Sequence, residues 1–181
     1  MRVAVTGTPG VGKTTLAEAM RRHGWRVVDV KRWAREVGAV VGHDAQDQAD
    51  VIDVERLRLH VLPDDGERVA YEGHLSHFLP LDVAWVVRCD PDLLRERLAL
   101  RGYPPGKVEE NVEVEALDLI LQEALEHVPR VVQRDGTRRT AEELYTAFAE
   151  AVPDAPKGRN RKRHDIEPVD WSDRLLPNPG R

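Results

Sequence analysis

The sequence predicts an α/β fold in which a five-stranded parallel sheet is flanked by helices. Short apolar segments with strand character alternate with helical segments along most of the chain, which is typical of a parallel sheet covered on both faces. A glycine-rich turn joins the first strand directly to the first helix. The length of 181 residues fits one compact domain and leaves no room for a second full-sized catalytic domain.

Five short, mostly apolar segments predict the strands. In chain order they are 2–6, 26–30, 68–71, 81–88 and 131–132. Six further segments predict helices, at 14–22, 31–37, 53–62, 91–100, 112–125 and 141–151. Gly24 ends the first helix, Asp53 caps the third, and Pro91 opens the fourth. The fifth is a long amphipathic helix with one apolar face, which Pro129 ends.

Two segments lack the pattern of a helix or strand. Residues 38–50 show no clear periodicity and many acidic side chains, which predicts a mobile insert. Residues 151–181 hold five prolines, a basic run at 157–163 and few apolar residues, which predicts an extended tail after a domain at 1–150. Asp170 and Trp171 are candidates to anchor that tail to the body.

The charge is divided unevenly between body and tail. The chain has 27 Lys and Arg against 32 Asp and Glu, for a net charge of −5. The tail at 151–181 is +2 and the body −7, so the total charge does not decide whether RNA is a partner. A basic run is more often a solvated arm than a specific reader of RNA.

Composition excludes several classes of protein. The single cysteine, Cys89, excludes an internal disulfide and a cysteine-based zinc site, and we expect it to be a small buried residue. No apolar run approaches the roughly 20 residues of a membrane helix, and the N-terminus does not resemble a signal peptide. We therefore expect a soluble cytoplasmic protein with no membrane partner.

Residues 7–14 carry the strongest motif. They read Gly-Thr-Pro-Gly-Val-Gly-Lys-Thr and satisfy G-x-x-x-x-G-K-[ST] at every fixed position, between a predicted strand and a predicted helix. Such glycines let backbone N–H groups surround a phosphate, Lys13 reaches the β- and γ-phosphates, and the Thr14 hydroxyl can bind Mg²⁺. The motif predicts a P-loop for ATP and Mg²⁺ and leaves the acceptor open.

A P-loop site also needs an acidic side chain at the end of a neighbouring strand, to hold Mg²⁺ through bound water. Glu72 follows the third strand and is the candidate. His74 lies two residues further on and points to the same side of an extended chain. Both a catalytic and a structural role stay open for His74, whereas His77 is predicted to be structural.

Phosphoryl transfer requires cations and a closing segment that excludes water. Arg97 and Arg101 stand at the end of a helix, before a short glycine- and proline-containing segment that reaches Lys107, which predicts a small lid. Arg35, on the helix after the second strand, is the candidate for binding an acceptor phosphate.

Several short elements occur in a fixed order along residues 1–150. They are 7–15, 33–36, 53–55, 72–74, Arg97 with 101–103, 110–112 and 140–144. This combination resembles the adenylate kinase isoenzyme 6 family, the small atypical adenylate kinases of archaea and eukaryotes. Residues 168–171 are similar to a tail element of archaeal members.

The resemblance implies a broad-specificity nucleoside monophosphate kinase that converts ATP and AMP to two ADP and also hydrolyses ATP. It further implies a role in late maturation of the small ribosomal subunit, with ribosomal protein uS11 and small-subunit rRNA as partners. Residues 29–52 would bind the monophosphate and 100–110 would form the lid. The implied ATP-binding residues are Gly10, Gly12, Lys13, Thr14, Thr15, Arg101 and Arg139.

Two departures and two alternatives accompany the resemblance. Glu72 stands where eukaryotic members carry Asp, and Arg139 stands where a Lys is often found, which leaves the contact with the adenine loop open. One alternative function is an ATP-driven ribosome assembly switch with incidental kinase activity. The other is a P-loop kinase for another small acceptor, such as shikimate or a nucleoside, although no acceptor motif for these is present. Fold alone does not decide between them.

Overall fold

The computed structural model describes residues 1–44, 49–62, 66–152 and 164–175. The strands in these ranges are β1 Arg2–Thr6, β2 Arg26–Asp29, β3 Val40–Asp44, β4 Ala49–Ile52, β5 Val69–Glu72, β6 Val83–Arg88, β7 Val131–Asp135 and β8 Asp165–Ile166. The helices are α1 Lys13–Arg22, α2 Val30–Glu36, α3 Val54–Arg58, α4 Pro91–Leu100, α5 Pro105–Ala116, α6 Leu119–His127 and α7 Ala141–Ala151.

The main sheet has the strand order β2-β5-β1-β6-β7-β8, and each neighbouring pair is parallel. All five predicted strands are present, which confirms the α/β fold with a parallel sheet flanked by helices. β1 lies near the middle of the sheet, between β5 and β6. Because all these strands are parallel, the loops that follow β1, β5, β6 and β7 lie together at the carboxyl ends of the strands.

Alternate residues of the central strands point to opposite faces of the sheet and pack into two separate hydrophobic cores. Val3 and Val5 of β1 pack on one face with residues of α1, α4, α5 and α7, whereas Ala4 packs on the other with residues of α2, α3 and α6. In β6, Trp85 lies on the first face, where its ring meets Phe148 edge to face at a centroid distance of 5.2 Å. This period of two explains why both central strands read as continuous apolar runs.

Regular structure is present within 38–50, where the sequence shows no clear periodicity and predicts a mobile insert. β3 and β4 pair as an antiparallel two-stranded sheet, in which Val40 lies opposite Ile52 and His43 opposite Asp50. β3 is largely exposed and β4 is only partly buried, so their side chains lack the apolar alternation that normally marks a strand. Residues 45–48 lie outside the described part of the chain.

The long helix predicted around 112–125 is divided into α5 and α6. The chain breaks at Asp118, whose φ of 59° places it in the left-handed region. The Arg88 guanidinium contacts the Asp118 carboxylate and donates a hydrogen bond of 2.7 Å to the carbonyl oxygen of Glu115. This long-range contact stabilises a local conformation that helix propensity does not favour.

The tail returns to the body and adds a sixth strand to the sheet. β8 pairs with β7, and the Arg88 guanidinium lies 4.9 Å from the centre of the Trp171 ring, as expected for an anchor at 170–171. The Arg174 guanidinium donates a 2.8 Å hydrogen bond to Asp92. Residues 164–175 are therefore folded against the body rather than extended from it. The basic run at 157–163 lies outside the described residues.

Candidate active site

The P-loop lies between β1 and α1, at the carboxyl ends of the parallel strands. Gly7 and Gly10 have φ values of 137° and 95°, which L side chains rarely adopt. A Cβ atom on Gly7 would lie 2.4 Å from the Val87 carbonyl oxygen, and one on Gly10 would lie 2.7 Å from Leu94 Cδ1. The glycines thus allow the loop to lie directly against β6 and α4. With Gly12, they precede the first turn of α1, whose free N–H groups suit an anion.

Lys13 is folded back over the P-loop. Its ammonium group donates hydrogen bonds of 2.7 Å to the Gly7 carbonyl and 2.9 Å to the Thr8 carbonyl. Burial lowers the pKa of Lys13 to about 8; the positive charge of Arg101 lowers it as well, whereas Glu72 and Glu115 raise it. The ammonium is therefore held in the concave face of the loop, where phosphate oxygens would satisfy it.

Thr14 and Glu72 form the pair predicted to hold Mg²⁺. The Thr14 hydroxyl lies 3.4 Å from Glu72 Oε1, and Gly73 N donates to the Val5 carbonyl at 3.1 Å, which fixes the end of β5 beside β1. Burial raises the pKa of the Glu72 carboxyl, while the positive charge of Lys13 opposes this. Hydroxyl and carboxylate oxygens are ligands that Mg²⁺ prefers. Among the described residues, no group of three or more His, Cys, Asp or Glu side chains is placed to hold a metal ion.

Arg97 and Arg101 approach the loop from α4. Arg97 Nη1 donates to the Gly10 carbonyl at 3.4 Å and lies 3.4 Å from Cys89 Sγ. Arg101 is the C-terminal cap of α4; it is exposed, and its charge acts on Lys13. Cys89 is fully buried, and burial raises the pKa of its thiol to about 12. It is therefore the small buried residue expected from the sequence.

Glu115 joins the P-loop to α5, and sequence reasoning missed it. Its Oε2 accepts a 2.5 Å hydrogen bond from Thr8, and its Oε1 accepts bonds of 2.8 Å from Arg88 Nε and 2.9 Å from Cys89 N. Arg88 and Glu115 are each only 2% exposed. The available signal in the sequence was the position of Glu115, which follows Val108 and Val112 at helical spacing and so lies on the buried face of α5.

His74 and His77 have different surroundings. His77 is buried, its Nδ1 lies 2.9 Å from the Thr6 hydroxyl, and its Nε2 lies 3.1 Å from Glu123 Oε2. A neutral ring with its proton on Nε2 satisfies both contacts, which supports the structural role predicted for His77. Desolvation and the positive charges of Lys13, Lys31 and Lys107 lower the pKa of His74. The His74 side chain is exposed, and its lowered pKa leaves the imidazole neutral at pH 7.

Arg35 lies in the predicted acceptor region but is paired within it. Its Nε and Nη2 lie 2.7 Å and 2.6 Å from Asp50 Oδ2. The Arg35 hydrogen bond is the largest factor that lowers the pKa of Asp50, which also accepts a contact from His43. The pair connects α2 to β4. An acceptor phosphate would have to compete with Asp50 for the guanidinium.

Arg139 lies in the loop after β7 and is held by the tail. Its Nη1 and Nη2 donate hydrogen bonds of 2.6 Å and 2.8 Å to the two carboxylate oxygens of Glu167. The same loop borders a cavity of about 330 Å³. Arg139 thus lies at the carboxyl ends of the strands, as the P-loop does, but it is next to β7 rather than β1.

Three relatives illustrate the comparison with known proteins. A protein named "Putative adenylate kinase" from Archaeoglobus fulgidus is 43% identical over 97% of this chain and 94% of its own. Proteins with the same name from Thermococcus gammatolerans and Methanocaldococcus jannaschii are 41% and 34% identical, over 98% and 97% of this chain and 98% and 96% of theirs.

Two further comparisons concern the domain and the fold. The family model described as an AAA domain matches residues 3–118. The 1.7 Å crystal structure of shikimate kinase from Bacteroides thetaiotaomicron overlaps 83% of this chain and 97% of its own with a TM-score of 0.48 at 20% identity. From the full-length identities above 30%, the chain belongs to the family formed by these archaeal adenylate kinase relatives.

Proposed function

We propose that this protein is a nucleoside monophosphate kinase that transfers the γ-phosphoryl group of ATP to AMP or another monophosphate. The observation that carries the proposal is the P-loop, where Lys13 is held over the loop carbonyls beside the Thr14–Glu72 pair. The names of the archaeal relatives support AMP as an acceptor.

In this mechanism the chain acts by positioning and by electrostatic stabilisation. Phosphate oxygens replace the Gly7 and Thr8 carbonyls as acceptors for Lys13. Backbone N–H groups from Gly10 to Thr15 surround the β-phosphate, and Arg97 and Arg101 stabilise charge on the transferring group. Thr14 directly and Glu72 through water would hold Mg²⁺, which neutralises phosphate charge when bound.

The acceptor would bind in the region 29–52, on the side of β1 where β5 and β2 lie. Asp29 caps α2 through a 3.0 Å bond from Arg32 N, which fixes the helix that carries Arg35. We infer that the acceptor phosphate takes Arg35 from Asp50, and that closure of the lid at 100–110 excludes water from the transfer.

The test is a panel of nucleoside monophosphates incubated with ATP and Mg²⁺ and followed by product formation. Lys13→Ala should abolish transfer to every acceptor. Arg35→Ala should raise the KM for the monophosphate about tenfold and leave the KM for ATP unchanged, because in this mechanism Arg35 would contact the acceptor and not the donor nucleotide. Arg58→Ala is the matched control, since Arg58 is an exposed arginine that pairs with Glu55 on α3. Retained turnover in Lys13→Ala would overturn the assignment of the site.

ATP hydrolysis without an acceptor, and partnership with uS11 and small-subunit rRNA, stay predictions of the family resemblance. The same panel, repeated with and without uS11, tests them together. If AMP neither binds nor is phosphorylated while uS11 changes ATP turnover, the assembly-switch alternative replaces the kinase. A cytoplasmic location likewise stays a prediction; in the described ranges, none of the helices is both long and apolar enough to cross a bilayer.

A further inference from the structure

A cavity of about 330 Å³ lies at the carboxyl ends of β6 and β7. This volume is at the lower end of the range of small-molecule pockets, roughly 300–1,000 Å³. Its lining residues are Asp90, Asp135, Thr137, Arg138, Arg139 and Trp171. Two loops of the body supply most of this lining, and the C-terminal segment supplies Trp171.

The cavity adjoins the P-loop through β6. Asp90 follows Cys89, whose backbone N–H and the Thr8 hydroxyl both donate to the Glu115 carboxylate, at 2.9 Å and 2.5 Å. The Thr137 hydroxyl accepts a 2.8 Å bond from Asp90 N, which joins the two loops of the lining. One carboxylate therefore links the rim of the cavity to the loop that binds phosphate.

The cavity and the proposed acceptor region lie on opposite sides of β1. The strand order places β5 and β2, with the region 29–52, on one side of β1, and β6 and β7 on the other. A nucleotide with its phosphates on the P-loop can place its base toward β6 and β7 without entering the acceptor side. The cavity is thus located for the base of the donor nucleotide.

Trp171 is held in place by contacts on both sides of it in the chain. The Arg88 guanidinium lies 4.9 Å from the centre of its ring, and Arg88 Nη1 has no hydrogen-bond partner among the described residues. Before Trp171, Glu167 pairs with Arg139 and also accepts a 2.9 Å bond from Asp135 N. After it, Arg174 bonds Asp92 at the start of α4. The segment 164–175 thus fastens an aromatic ring at the rim of the cavity.

We propose that Trp171 is a wall of the donor-base pocket and contacts the purine ring of ATP, so that the C-terminal segment is part of the nucleotide site. An indole face and neighbouring guanidinium groups suit a flat π-system. The inference rests on the proposed function only in taking ATP as the donor. In the same arrangement, Glu167 is a positioning residue because it holds Arg139 at the pocket.

The kinetic test compares variants of the full chain. Stacking of a base on an aromatic side chain is worth about 1–3 kcal/mol, so Trp171→Ala should raise the KM for ATP about tenfold or more. The KM for AMP and kcat should stay within about twofold of wild type, and Trp171→Phe should recover most of the affinity for ATP. Asp165→Ala is the matched control, since it removes a tail ion pair to Arg134 that is not part of the cavity. It should leave the KM for ATP unchanged.

A binding test does not depend on kinase activity. Titration with ADP and Mg²⁺ should quench the tryptophan fluorescence of the wild-type protein and of Trp33→Phe, because Trp33 lies on α2 at the other side of the sheet. Trp171→Phe should lose the quenching and still bind ADP in calorimetry. This test also decides the inference if Trp171→Ala fails to fold.

Three outcomes would overturn the inference. The first is an unchanged KM for ATP in Trp171→Ala, and the second is an equal rise in both KM values with a fall in kcat, which indicates a merely structural tail. The third is full quenching in Trp171→Phe. If the wild-type protein phosphorylates no monophosphate but shows the Trp171-dependent quenching, the proposed function fails and the inference stands.

Discussion

The Thr8 hydroxyl donates a 2.5 Å hydrogen bond to Glu115, which ties the P-loop to a helix that starts in the predicted lid. The same carboxylate pairs with Arg88, so a P-loop hydroxyl and a buried ion pair share one acceptor. A buried pair of this kind is costly to break from one side, because the remaining charge stays desolvated.

Glu115→Ala should therefore destabilise the protein by about 3 kcal/mol or more, because it leaves the Arg88 charge and the Cys89 N–H without this partner. Urea unfolding followed by circular dichroism measures the change. Glu113→Ala, at an exposed position of the same helix, should change the free energy of unfolding by no more than about 0.5 kcal/mol. Equal effects in both variants would show that the network is not important for stability.

Glu72→Gln should raise the Mg²⁺ concentration needed for half-maximal kinase activity, because an amide binds the water shell of a cation more weakly than a carboxylate. Glu72→Asp should show a smaller rise, since it keeps the charge on a shorter arm. The measurement is a Mg²⁺ titration at saturating ATP. Glu18→Gln, exposed on α1, is the control. A titration curve of Glu72→Gln that matches wild type would contradict the assignment.

His74→Ala should lower ATP hydrolysis in the absence of an acceptor by about tenfold or more, if the neutral imidazole orients the attacking water. Transfer to AMP should persist, because an oxygen of the acceptor phosphate takes the place of that water as the nucleophile. The two rates are measured on the same preparation. His60→Ala, which removes an exposed imidazole after α3, is the control. Unchanged hydrolysis in His74→Ala would exclude this role.

His77 should make the protein sensitive to acid. Burial lowers its pKa to about 4 in the folded state, whereas the ordinary value is 6.5. The unfolded chain therefore binds more protons between these values, and the stabilisation is complete above pH 6.5 and lost as the pH falls to about 4. The side chain is 0% exposed, and the loss corresponds to about 3 kcal/mol.

The measurement for His77 is the free energy of unfolding as a function of pH. His77→Gln should flatten the decline between pH 6.5 and 4, because the amide does not titrate. His74→Gln should flatten it less, since that imidazole is exposed and water screens its charge. A decline in His77→Gln as steep as in wild type would show that another group causes the acid sensitivity.

The local features of the site were predictable from the sequence, whereas the long-range ones were not. The strand before Gly7, the Gly-Lys motif and the helix after Lys13 are encoded within a few residues, and the structure has them as expected. The break at Asp118 was missed because helix periodicity continues across it and Arg88 stabilises the break from 30 residues away. The pairing of β3 with β4 was missed because β3 is largely exposed, β4 is only partly buried, and neither shows apolar alternation.

The roles of the arginines required knowledge of their partners. Arg35 and Arg139 both stand in the predicted regions, but each is paired with a carboxylate, Asp50 and Glu167, that sequence spacing does not connect to it. Arg97 donates a hydrogen bond to the Gly10 carbonyl of the P-loop, and its predicted action on the transferring phosphoryl group stays a prediction. The residue types in the sequence therefore indicated the region of the site, but the fold was needed to show which arginines are already paired with a carboxylate.

The contact of the tail with β7 also affects how copies of the protein meet. His164 accepts a 3.2 Å bond from Val131 N, Glu167 N donates to the Gln133 carbonyl at 3.3 Å, and Asp135 N donates to Glu167. Together these bonds engage the outer backbone of β7, which would otherwise be an open sheet edge able to pair with a strand of another chain. Proteolysis before His164 would uncover that edge and favour self-association.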